Sequence, residues 1–173
     1  KTDREEEALL VRANNRTYRS RGIQTRAEYR FNLNEFFFDL EFGLRYHADE
    51  EDRFQWDDSY SMKNKKMVLF MEGIHGTNAN RVTSANALAG YLLAKLRYDA
   101  WTVTAGLRYE DVDLLKKDYT KEDLARSGKV RIETPNHARV LIPGVGLHYQ
   151  LMPAASVFFG IHKGFAPPSA ELY

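Results

Sequence analysis

Apolar residues recur at every second position in six separate stretches of this chain. In one, Ile23, Thr25, Ala27, Tyr29 and Phe31 alternate with Gln24, Arg26, Glu28 and Arg30. In another, Phe36, Phe38, Leu40, Phe42, Leu44 and Tyr46 alternate with Phe37, Asp39, Glu41, Gly43, Arg45 and His47. A period of two is the mark of a β-strand with one apolar and one polar face. The pattern predicts strands at about 17–31, 36–48, 87–98, 101–112, 139–150 and 155–165. The polar face carries too much charge to sit in a packed protein core, so the apolar face must be the one that meets a dry environment. Apolar to lipid and polar to a wet lumen is the arrangement of a transmembrane β-barrel.

The connections support the same architecture. Residues 32–35, 99–100 and 151–154 read as tight turns, whereas 49–86 and 113–138 are long polar stretches. Within the first of these, Tyr60–Lys66 followed by Met67-Val68-Leu69-Phe70-Met71 suggests a hairpin. Short and long connections alternate, so an antiparallel up-and-down meander puts all tight turns at one end and all long loops at the other. Outer-membrane barrels have short periplasmic turns and long extracellular loops. Apolar-face aromatics also gather at both ends: Tyr29, Phe31, Phe36, Tyr98, Trp101 and Tyr149 beside the turns, and Tyr46, Tyr109 and Phe165 beside the loops. Two such girdles are expected at the membrane–water interfaces. The competing reading is a soluble β-sandwich binding module, in which the apolar faces bury one another.

Composition narrows the choice. The 173 residues hold 25 basic and 24 acidic side chains, a net charge of +1 that offers no general attraction to nucleic acid. Without cysteine, disulfides, thiol catalysis and thiolate metal sites are excluded. A mean hydropathy of −0.54 and the lack of a long apolar run exclude a transmembrane helix, though not membrane strands. The charged start, Lys1 to Glu7, is no signal peptide. No nucleophile, zinc-protease or phosphate-loop signature occurs, so the chain reads as a non-enzyme. His47, His75, His137, His148 and His162 lie far apart, and their spacing suggests no metal cage.

Several stretches resemble the barrel of TonB-dependent outer-membrane receptors, those of the ferric-citrate type in particular. They are Asn15–Ile23, Thr104-Ala105-Gly106-Leu107-Arg108-Tyr109-Glu110, Leu141–Leu147, and Gly160-Ile161-His162-Lys163-Gly164-Phe165-Ala166-Pro167-Pro168. The resemblance covers almost the whole chain. It implies that residues 1–173 are a fragment of a barrel of about 22 strands. The plug domain and the energy-coupling segment of such receptors are missing from this stretch. It further implies a Gram-negative outer membrane, lipid around the barrel, import of ferric citrate or another siderophore chelate, and energy from TonB acting through the absent plug. No cofactor and no protein-held metal follow from it.

Ferric chelates of this kind are often anionic and rich in oxygen. Arginine suits them, because its planar fork binds carboxylates bidentately. By strand parity Arg45 and Arg108 face the lumen near the outer end, as do His47 and His162. In the long polar stretches Arg53, Arg81, Arg131 and Arg139 are available, with Gln55, Trp56, Tyr60, Asn78 and Asn80. The candidate ligand-binding set is Arg45, Arg108, Arg81, Arg139, Tyr60 and His162. A passive porin-like channel, with no plug and no high-affinity ligand, is the alternative within the membrane reading.

Overall fold

The structure is a computed structural model that describes residues 4–119, 123–128 and 131–166. Pro167 and Pro168, Lys129, and the side chain of Arg131 lie outside the described residues. Seven antiparallel strands form one sheet: β1 (Arg4–Leu33), β2 (Phe36–Lys63), β3 (Lys66–Met71), β4 (Ala79–Tyr98), β5 (Trp101–Tyr119), β6 (Arg131–Met152) and β7 (Ala155–His162). Their order is β1-β2-β4-β5-β6-β7, a meander in which each strand pairs with its successor, with β3 attached to β2 alone.

The tight turns explain the meander. Residues 34–35, 64–65, 99–100 and 153–154 each join two antiparallel strands. Asn34, Asn64, Lys65 and Asp99 take positive φ values of 52°, 48°, 63° and 48°. Two-residue hairpins need this left-handed backbone, and Asn and Asp tolerate it best. The β6–β7 register then pairs Val145 with Ile161 and Gly146 with Gly160.

The strands outrun the alternation that predicts them. β2 continues fifteen residues past 48, through Lys63, and β4 begins at Ala79 rather than near 87. Most of 49–86 and 113–138, expected as loops, is therefore strand. The reason is physical: alternation is required only where the two faces meet different solvents. Beyond that zone, backbone pairing and aromatic or β-branched residues such as Phe54, Trp56, Tyr60, Val82 and Thr83 sustain the strands. The last strand, expected to reach 165, ends at His162, although the Lys163 amide still bonds the Pro143 carbonyl at 3.0 Å.

The chain divides into two compact units, one of residues 21–48, 85–113 and 136–173, the other of residues 1–20, 49–84 and 114–135. In the first, the apolar face stands uncovered. Leu92, Val103 and Val145 are 51%, 36% and 49% exposed. Along β5 the apolar residues Trp101, Val103, Ala105, Leu107 and Tyr109 are exposed, while Thr102, Thr104, Gly106 and Arg108 between them are more covered. That is the inverse of a water-soluble sheet. Among the described residues only Ala89 and Val112 are buried hydrophobics, so these residues form no sandwich core. Rings pair across strands at the turn end: Phe31 on Phe38 at 4.7 Å, Phe36 on Tyr98 at 4.6 Å, and Trp101 beside Tyr149 at 4.3 Å. At the far end of the same face the tyrosines turn their hydroxyls to polar groups, Tyr46 to Asn86 and Tyr109 to Asp111, each at 3.1 Å.

The second unit is held by polar contacts. β2 and β3 form the hairpin suggested by the sequence, with Lys63 opposite Lys66 and Tyr60 opposite Leu69. The turn at 123–128 is pinned by two side chains. Asp123, itself buried, accepts from the backbone amides of Ser127 and Gly128 at 2.6 and 2.7 Å. Arg126 grips Asp52 through both terminal nitrogens at 2.8 and 2.7 Å, donates to buried Asn80 at 2.7 Å, and lies over the rings of Phe54 and Tyr119. The guanidinium holds the Asp52 carboxyl below its ordinary range, and the carboxylate raises Arg126 in turn. The acidic run is thus committed to arginines: Glu50 to Arg19, Glu51 to Arg16 and Arg53, and Asp52 to Arg126. Asp57 pairs with Arg12.

Candidate functional site

The polar face of the first unit changes character along the strands. Nearest the tight turns it is a charge ladder across β1, β2 and β4. Asp39 takes Arg30 at 3.5 Å and Arg97 at 2.9 Å, while Glu28 takes Arg26 at 2.6 Å and Arg30 at 3.1 Å. The Tyr91 hydroxyl donates to Glu41 at 2.5 Å, and its ring lies over Gly43, where a Cβ would come within 2.2 Å of a ring carbon. These charges satisfy one another, as adjacent opposite charges on a sheet do. Asp39 and Glu41 therefore serve this ladder.

Farther along lies a trough of about 430 Å³ whose floor is Gly106, Gly144, Gly146 and Gly160. Side chains are missing there from three neighbouring strands, and Leu93, Ile142, Arg108 and His162 stand around the gap. Beyond it, a second cavity of about 420 Å³ is bounded by Arg45, His47, Arg108, Glu110, Ile142 and Phe165; Phe165, expected on the apolar face, lies past the end of β7, where strand parity no longer fixes its side. Arg108 borders both cavities.

This arrangement sorts the six sequence candidates. Arg45 and Arg108 come together at the second cavity. Arg108 is committed in part, since its Nε donates to Glu110 at 2.5 Å. Arg45 has no ion-pair or hydrogen-bond partner among the described residues, so its full guanidinium fork is available. His162 closes β7 and reaches the trough, beside Arg108. The other three stand elsewhere. Arg81 lies within β4, a strand position rather than the loop expected, and Tyr60 lies in the β2–β3 hairpin opposite Leu69. Arg139 lies in β6 on the same face as Leu141 and Val145, and its Nε donates to Asp111 at 2.9 Å. An arginine tied to the apolar-face rim does not face the cavity. The sequence groups Arg139 with the long polar stretches because alternation fades there.

One grouping was invisible in the sequence. Asp111, Asp113 and His137 converge at the far rim of the apolar face, although β5 and β6 place them 24 or more positions apart from strand to strand. The register alone brings them together.

The family described as TonB dependent receptor-like, beta-barrel matches residues 3–173. No curated protein matches the sequence. Among solved structures, that of the ferric citrate transporter FecA in its unliganded form aligns with a TM-score of 0.66 at 17% identity, covering 87% of this chain. The chain spans 21% of that transporter's length.

Proposed function

Because this chain belongs to the TonB-dependent receptor β-barrel family, a family of receptors rather than enzymes, we propose that it builds part of the wall of an outer-membrane receptor importing a ferric chelate. On this reading the uncovered apolar face meets lipid and the polar face lines the lumen. The aromatic pairs at the turn end mark the periplasmic interface, and Tyr46 and Tyr109 mark the outer one. The long strand extensions and the β2–β3 hairpin stand outside the cell. Energy comes from TonB through a plug domain, and ferric citrate or a comparable oxygen-rich siderophore chelate is the cargo.

The observation that carries this reading is the uncommitted Arg45 at a polar-face cavity shared with Arg108. A guanidinium that has no carboxylate of its own is set to take one from a ligand, as a charge-assisted and potentially bidentate pair. His47 and His162 flank the same path, and Glu110 leaves Arg108 partly neutralised, so Arg45 contributes most.

The test is ferric citrate binding to the full-length receptor in detergent, with Arg45→Ala and Arg108→Ala. A bond to a charged group contributes about 1.5–3 kcal/mol, so Arg45→Ala should weaken affinity by roughly 10- to 150-fold and Arg108→Ala by less. Unchanged affinity in both variants would remove this site. Solute flux without saturable binding would instead support a passive channel.

A further inference from the structure

We propose that Asp111, Asp113 and His137 form a binding site for a zinc-like divalent transition ion on the rim of the apolar face, stapling β5 to β6. The proposal stands on geometry independent of the receptor reading. Asp111 and Asp113 are two residues apart on β5 and so share a face. His137 projects from β6 between them: its Nδ1 is 2.6 Å from Asp113 Oδ1 and its Nε2 is 3.6 Å from Asp111 Oδ1. One ligand atom from each of the three lies within 4.8 Å of the others.

The spacing suits a small ion. With bonds of about 2.0–2.1 Å, a tetrahedral set of nitrogen and oxygen ligands has edges of roughly 3.3 Å. An ion takes only one of the two ring nitrogens, and with one ligand atom from each residue already within 4.8 Å of the others, a turn of the imidazole and of the two carboxylates closes the set around it. The Asp111 carboxylate is already oriented. Its Oδ2 accepts from Arg139 Nε at 2.9 Å and from the Tyr109 hydroxyl at 3.1 Å, which leaves Oδ1 for the metal. Metal-ligating carboxylates are commonly held by such outer partners. The side chains of Asp113 and His137 are 71% and 44% exposed, so an ion can enter and keep water or a headgroup oxygen as its fourth ligand.

Charge and donor type decide the class of ion. With neutral imidazole, two carboxylates and the Arg139 guanidinium leave a net charge of −1. Calcium and magnesium take oxygen donors in sets of six or more, which three side chains do not supply. One imidazole with two carboxylates and an open position matches zinc, cobalt or nickel.

The experiment titrates Zn²⁺ into the detergent-solubilised receptor by calorimetry and reads Co²⁺ absorption in parallel. Expected are one site per chain with the strong visible bands of four-coordinate cobalt, loss of that site in His137→Ala, and at least tenfold weaker binding in Asp113→Asn. His75→Ala, whose ring instead stacks on Trp56, should leave the site intact. Thermal melting of each variant without metal confirms that it is folded. Absence of the stoichiometric site, or a site indifferent to His137→Ala in folded protein, overturns the proposal and leaves His137 as a cross-strand partner of two carboxylates only.

Discussion

Arg126→Gly tests whether one side chain locks the turn at residues 123–128. Glycine is the informative replacement, because Arg126 sits at φ 56° and an alanine would keep the backbone strain while deleting the contacts. Three losses follow. Buried Asn80 loses the donor to its side-chain oxygen, at a cost of about 1–3 kcal/mol. The placements over Phe54 and Tyr119, at 5.2 and 5.4 Å, contribute about 0.5–1 kcal/mol each. The ion pair with Asp52 has side chains 23% and 36% exposed, so solvent screening holds it to about 1 kcal/mol. Relief of the left-handed backbone returns about 1–2 kcal/mol. The net is about 2–4 kcal/mol of local stability, which corresponds to roughly 30- to 1000-fold faster opening-limited exchange.

The assay is amide hydrogen exchange in the receptor. The reporters are the amides of Arg126, Ser127 and Gly128, which bond the Asp123 carbonyl and carboxylate. Acid gives an independent check. Asp52 has a lowered pKa in the folded state, so its stabilisation is complete above the ordinary value near 3.9 and disappears as pH falls through the folded one. Protection should therefore drop below about pH 4 in the native sequence, and the Gly variant should lack that step. Protection within about threefold of native at pH 7 would refute the lock.

Val103→Arg, on the apolar face, should cost about 2–4 kcal/mol of folding stability in bilayers, whereas Thr104→Lys, one residue away on the polar face, should cost almost nothing; equal effects in a denaturant titration from vesicles would contradict the assignment of faces. Gly43→Ala should destabilise by about 1–3 kcal/mol, because the new methyl collides with the Tyr91 ring, and Tyr91→Ala in the same chain should recover part of the loss in a thermal melt.

The strands near the tight turns are legible because their two faces differ strictly in polarity, as the proposed lipid and lumen neighbours require. Ile23 to Phe31 and Trp101 to Tyr109 cannot shift by one residue without turning arginine or glutamate toward the dry side. Asn34 and Asp99 announced their turns for a steric reason. Beyond Ala48 the code lapses, so Phe54 and Trp56 read as loop residues, and only strand pairing shows otherwise. The site divides the same way. Parity placed Arg45 and Arg108 on the polar face, since both lie inside coded strands. It groups Arg139 with the long polar stretches, where the code fades, and it has no means of showing that Glu110 engages Arg108 while Arg45 meets no partner among the described residues. The convergence of Asp111, Asp113 and His137 depends on the offset between β5 and β6, which no local pattern records.

One edge of strand β2 changes neighbours partway: it pairs β4 in the main order, its Gln55 carbonyl accepts from Asn78 just before β4 at 2.9 Å, and Ser59 to Lys63 pair with β3. The Asn64-Lys65 apex therefore closes the β2–β3 branch, which lies off the main strand order. Extra residues spliced in at that apex would lengthen a side branch and leave the trunk's register untouched, which makes it a natural port for a fluorophore or an affinity peptide.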